Sequence, residues 1–137
     1  MASGAALVTL FSACGGSSTS PDGPASPLGI LSGNFTGSGV QVVVAGSALT
    51  DVGGAVLVQS VAGVFLVART SASAFQAIDG VCTHEGCTIT GADGTTYVCP
   101  CHGSRYNRSG QVLGGPAPAS LRQYQSTFAN GVVTIAI

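Results

Sequence analysis

From Val40 onward, apolar residues fall into short runs separated by Gly, Ser and Asp: "VQVVVA" at 40–45, "AVLVQ" at 55–59, "VFLVA" at 64–68 and "AFQAI" at 74–78. The runs are rich in β-branched residues, and no stretch sustains a 3.6-residue period, so the pattern predicts strands. Near the C-terminus "QYQSTFA", Asn130-Gly131 and "VVTIAI" form a hairpin signal, because Asn-Gly readily takes the positive φ angles of a type I′ turn. Asp51-Val52-Gly53-Gly54 and Ala62-Gly63 are further turn candidates. Strands at this spacing imply an all-β sandwich or small barrel, with no internal repeat.

The first 39 residues follow different physics. Ala5 to Ala13 is apolar but too short to span the ~30 Å hydrocarbon core of a bilayer, and it is closer to the apolar part of a signal peptide. "FSAC", ending at Cys14, resembles a bacterial lipoprotein processing site, with Phe11 atypical at its first position. An ordinary signal end, or a free cysteine in a disordered tail, is the alternative. A secretory signal requires Lys or Arg ahead of its apolar run, and none is present here, so the true start is expected upstream. Residues 15–39 open with a stretch rich in Gly, Ser and Pro that reads as a disordered, flexible tether; fifteen such residues reach about 20 Å as a coil.

At 137 residues there is room for one domain with a modest core. Four basic residues against five acidic ones leave no basic patch for a polyanion, which excludes nucleic-acid binding. Charged residues are only 7% of the chain, so solubility has to come from neutral polar groups or from a covered surface.

The chemistry is concentrated in two hexapeptides, "CTHEGC" (Cys82 to Cys87) and "CPCHGS" (Cys99 to Ser104), which hold both histidines and four of the five cysteines. Thiolate sulfur and imidazole nitrogen bind zinc or iron, and here they come as Cys82-x-His84 and Cys99-x-x-His102. A strand pair between them, "TIT" and "TTYV" across Gly91-Ala92-Asp93-Gly94, would bring the two loops face to face. Zinc would be satisfied by two cysteines and two histidines. It does not account for Cys87 and Cys101, which face-to-face loops would bring within disulfide reach.

These motifs resemble the cluster-binding motifs of Rieske iron-sulfur proteins, in the disulfide-bearing form found in cytochrome bc complexes and related exported carriers. The resemblance covers about residues 40–137. It implies a Rieske-type antiparallel β-sandwich with a small cluster-binding subdomain at about 80–118, and one 2Fe-2S cluster in which two histidines replace two cysteines on one iron. By position, Cys82 and Cys99 would bind one iron, and His84 and His102 the other. Cys87 and Cys101 would form the disulfide. Ser104 and Tyr106 stand where such proteins direct hydroxyls at a bridging sulfide and a cysteine ligand, donors that raise the reduction potential. "GGPAP", Gly114 to Pro118, resembles the loop covering the cluster, with Gly115, Pro116 and Pro118 as its characteristic residues. Imidazole ligands would also couple electron uptake to a proton, because an imidazole on oxidised iron loses its outer proton more readily.

One residue departs from the pattern. In cytochrome bc complexes the position after the first ligand histidine is usually leucine, an apolar contact for quinol oxidation; here it is Glu85. A carboxylate opposes burial in an apolar pocket. The resemblance therefore implies, first, an electron carrier or accessory subunit of a respiratory redox complex. The alternatives are the quinol-oxidising subunit of a bc-type complex and the small subunit of an arsenite-oxidase-type molybdoenzyme. Its partners would be cytochrome c, cytochrome b or a molybdoenzyme subunit, and the domain would have no substrate chemistry of its own. Oxygenase ferredoxins, which generally lack the disulfide cysteines and work in the cytoplasm, fit less well. The disulfide and the N-terminus imply export, to the periplasm or the outer face of the cytoplasmic membrane, with Cys14 as a lipid anchor.

Overall fold

The computed structural model describes residues 25–137. The signal-like segment 1–14, with Cys14, and positions 15–24 of the expected tether lie outside the described residues.

Three sheets build the molecule. The loop-bearing sheet runs in the order β1 (Ser26–Pro27), β8 (Gly91–Asp93), β9 (Thr96–Val98), β10 (Arg105–Tyr106), β11 (Val112–Gly114). The central sheet has the order β12 (Gln123–Tyr124), β7 (Phe75–Asp79), β6 (Gly63–Arg69), β5 (Ala55–Ser60), β2 (Gly29–Ser32). The outer sheet has the order β13 (Ser126–Ala129), β14 (Val132–Ala136), β4 (Gly39–Val43), β3 (Asn34–Phe35). All pairings are antiparallel except β2 with β5, and a single 3-10 turn at Ala48–Thr50 is the one helical element among the described residues. The all-β sandwich expected from the periodicity is present.

The central sheet is buried on both faces, which is why its strands read as unbroken apolar runs. Side-chain alternation sends Val56, Val58, Phe65, Val67 and Ala77 into a core shared with Val40, Val42, Val133 and Ile135 of the outer sheet. Leu57, Leu66 and Ile78 point the other way, into a second core with Ile89, Tyr97, Tyr106, Leu121 and the thiols of Cys82 and Cys99. Each fully buried Leu or Ile there contributes about 1.5–3 kcal/mol, and this contact seats the loop-bearing sheet on the sandwich.

The Asn130-Gly131 turn forms as its residues require, with φ of 53° and 74°, and pairs Ala129 with Val132. Three expectations need correction. The tether placed at 15–39 gives way at Ser26: β1, β2 and β3 supply an edge strand to each of the three sheets in turn. These strands are two to four residues long and mostly exposed, so they carry no apolar alternation to announce them. "QYQSTFA" is two strands, because the chain crosses from the central to the outer sheet at Gln125. The strand preceding "TTYV" is Gly91–Asp93 rather than "TIT", and Thr88 makes only an isolated bridge to Val81. Gly91 marks a close approach instead of a turn, since a Cβ there would lie 2.8 Å from the Cβ of Ala25 beside β1.

Candidate metal centre

The two hexapeptides fold as the same loop. In the first, the Cys82 N–H donates to the Cys87 carbonyl (2.8 Å) and the Gly86 N–H to the Cys82 carbonyl (3.1 Å). In the second, the Cys99 N–H donates to the Ser104 carbonyl (2.8 Å) and the Gly103 N–H to the Cys99 carbonyl (3.0 Å). The fifth residue of each is a glycine in the left-handed region, Gly86 at φ 74° and Gly103 at φ 72°, a conformation that strains residues bearing a Cβ. Cysteine followed four residues later by glycine is thus the shared signal, and it was legible in both motifs.

The first loop is closed at its base by the Val81–Thr88 bridge and by the Ile89 N–H donating to Gly80, while the second joins β9 to β10. Cys87 and Cys101 are disulfide-bonded with Cα atoms 6.5 Å apart, so the loops are cross-linked face to face. Cys82 and Cys99 are free thiols, both buried. Toward solvent, the rings of His84 and His102 meet edge to face with centroids 4.9 Å apart. Glu85 joins them, with Oε2 3.4 Å from His102 Nδ1.

Beneath the loops, the hydroxyl of fully buried Tyr106 lies 3.2 Å from Cys82 Sγ and 3.2 Å from Thr83 Oγ1, and it accepts from the Thr83 N–H at 3.3 Å. Thr83 Oγ1 donates in turn to the Ala119 carbonyl at 2.7 Å. Thr83 therefore ties the first loop to the segment after Pro118, a link that the sequence reading missed and that no local pattern advertises. Burial acts to raise the Cys82 thiol, but hydrogen bonds from Tyr106, the His84 backbone and Cys99 outweigh it and hold the thiol below its ordinary range. Burial pushes the Cys99 thiol up, and the neighbouring Cys82 adds to the shift. The Tyr106 hydroxyl is likewise raised, by burial first and then by its bond to Cys82, and so remains a donor.

Ser104 is buried beside Cys82, yet its Oγ forms no full hydrogen bond with any described residue. The expected cover loop lies against it: Gly115 has φ 84°, and a Cβ there would fall 2.6 Å from Ser104 Cα. Pro116 and Pro118 are exposed on that loop, while Ala117 packs against the second core. Two buried thiols, two opposed imidazoles and an uncommitted buried hydroxyl fit a centre with sulfur and nitrogen ligands and sulfide acceptors.

A small β domain presenting thiols and imidazoles on two cross-linked loops is a metalloprotein of the cysteine-histidine class. The Rieske [2Fe-2S] domain family matches residues 40–125, more than half of the chain, and the chain belongs to that family, whose domain binds one 2Fe-2S cluster. The chain is 38% identical over 63 residues to the cytochrome b6-f complex iron-sulfur subunit of Chlorobaculum thiosulfatiphilum, covering 45% of this chain and 35% of that protein. It is 47% identical over 58 residues to the cyanelle cytochrome b6-f complex iron-sulfur subunit 1 of Cyanophora paradoxa, covering 41% and 24% respectively. The matched region thus spans about a third or less of these relatives. Among solved structures, the plasma membrane Rieske protein PetC3 from Synechocystis PCC 6803 aligns with a TM-score of 0.54 and 26% identity, over 61% of this chain and 86% of that one. The complex of reduced oxygenase and oxidised ferredoxin in carbazole 1,9a-dioxygenase aligns with a TM-score of 0.51 and 28% identity, over 61% and 81%. Among the described residues, no helix is long and apolar enough to cross a membrane.

Proposed function

We propose that this chain transfers electrons outside the cytoplasm, as a tethered carrier or as an accessory subunit of a respiratory redox complex. Cys82 and Cys99 would hold one iron of the cluster, and His84 and His102 the other. A bound 2Fe-2S cluster supplies a one-electron couple, and two neutral imidazoles in place of two thiolates set its potential high. The protein's part is to tune and to present. The Tyr106 hydroxyl stabilises negative charge at Cys82 Sγ, Ser104 offers a second donor, and the second core keeps water away from both sulfurs.

The observation that carries the reading is the exposed edge. Glu85, whose side chain is 55% exposed, touches His102 at the tip, and a carboxylate there suits a polar protein partner better than an apolar quinol pocket. A c-type cytochrome fits this description; cytochrome b or a molybdoenzyme subunit are the other candidates. The disulfide supports an oxidising compartment, and hence export to the periplasmic side, with Cys14 as a lipid anchor. A second reading, the quinol-oxidising subunit of a bc-type complex, draws support from the b6-f subunits among the relatives.

The purified protein should hold about two irons and two sulfides per chain. Mixing its reduced form with an oxidised c-type cytochrome across ionic strength, for wild type and Glu85→Leu, tests the partner reading. The substitution should slow transfer and weaken its salt dependence, because one steering charge is lost. Identical rates and salt slopes, or efficient quinol oxidation by the wild type in its native membrane, would favour the second reading.

A further inference from the structure

The three side chains at the tip form a donor set of their own. One nitrogen of His84, one of His102 and a carboxylate oxygen of Glu85 all lie within 4.8 Å of one another. Around a tetrahedral zinc ion, with metal–ligand distances of about 2.0–2.1 Å, donors stand roughly 3.3 Å apart. Glu85 Oε2 and His102 Nδ1, at 3.4 Å, already have that spacing. Closing the rest requires up to about 1.5 Å of approach between side chains that are exposed, Glu85 and His102, or partly exposed, His84.

We propose that in the cluster-free chain His84, Glu85 and His102 bind one divalent transition-metal ion, zinc in the first instance, and that this ion competes with cluster insertion. Two imidazoles and one carboxylate are a chemically sufficient set of three protein ligands, leaving the fourth position to water. Glu85 supplies the anionic ligand that neutralises part of the metal charge. Preorganisation comes from the Cys87–Cys101 disulfide, which holds the two loops opposed whether or not anything is bound beneath them. The thiols of Cys82 and Cys99 lie buried below, outside the exposed donor set, so the ion meets the tip first. Since both histidines are the residues expected on the cluster, the two occupants exclude each other. Glu85 then sets how sensitive cluster assembly is to zinc. The proposal concerns the chain before cluster insertion and does not depend on which redox partner it serves.

The test uses the full chain with its disulfide intact and the cluster removed, titrated with Co2+ as a spectroscopic substitute for zinc. The expected result is one equivalent bound, with the visible d–d bands of a four-coordinate ion and no sulfur-to-cobalt charge-transfer absorption, and at least ~10-fold weaker binding by E85Q. Cys82→Ser should bind as wild type does. During cluster reconstitution, added zinc should lower the yield of wild type more than that of E85Q; full loading of E85Q without zinc shows that it is folded. Sulfur charge-transfer bands, equal affinity of E85Q, or no binding by the wild type would each overturn the proposal.

Discussion

Replacing Tyr106 by phenylalanine removes one hydroxyl and leaves the ring in its core. That hydroxyl has a single proton and two acceptors at the same distance, Cys82 Sγ and Thr83 Oγ1, both at 3.2 Å. The Thr83 hydroxyl spends its own proton on Ala119, so it can only accept from Tyr106. A thiolate competes better than a neutral hydroxyl, because charge-assisted hydrogen bonds are roughly twice as strong. Such a bond contributes about 1.5–3 kcal/mol. Only the part that grows when the centre gains an electron affects the potential, and about 1–2 kcal/mol is the order expected. For a one-electron couple 59 mV corresponds to ~1.4 kcal/mol, so Tyr106→Phe should lower the potential by roughly 40–80 mV. Protein-film voltammetry of both forms at one pH measures it. Tyr97→Phe is the control: Tyr97 pairs with Tyr106 across the sheet and is equally buried, but its hydroxyl forms no full hydrogen bond with any described residue and its charged neighbour is Arg108 rather than a thiol. If Tyr106→Phe leaves the potential unchanged, or if Tyr97→Phe lowers it as much, the hydrogen bond to Cys82 is not the cause.

Gly115→Ala should destabilise the chain by about 1–3 kcal/mol, since a Cβ at φ 84° is strained and meets the Ser104 backbone; the rate of thermal bleaching of the cluster should rise accordingly. A chain beginning at Val40, the boundary that composition suggested, loses β1, β2 and β3 and with them one edge of every sheet. Its melting temperature should fall by more than about 5 °C, and an unchanged value would show that the three strands only decorate the fold. In the cluster-free chain, thiolate absorbance should rise in two steps, Cys82 below the ordinary thiol value of 9.0 and Cys99 above it. The depressed Cys82 stabilises that form above the ordinary value, and the contribution fades as pH falls through its folded value. Cys99, shifted the other way, costs stability as pH rises. Cys82→Ser should abolish the lower step, and a single step near 9.0 in wild type would contradict the asymmetry.

The strands of the sandwich were legible because their cause is local. A half-buried or fully buried strand needs β-branched and apolar residues at fixed spacing, and Val56–Val58 or Phe65–Val67 carry that requirement in the sequence itself. The Asn130-Gly131 turn is local for the same reason, since only a few residue types accept its two positive φ angles. The clustering was legible too: two histidines and four cysteines crowd into twelve positions, and the fold brings them together on two opposed loops. The tertiary structure alone decided what these residues meet. Ser26–Phe35 looks like linker because each of its strands is two to four residues long; β1 and β2 gain their order from hydrogen bonds to strands far along the chain, and only β3 pairs with the next strand, β4. Thr83 reads as an ordinary polar residue until Ala119, thirty-six positions away, is brought to its hydroxyl. Glu85 reads as a substitution in a motif until the disulfide sets its loop against His102. Periodicity records which side of an element is buried; the identity of the neighbour is fixed only when distant segments pack.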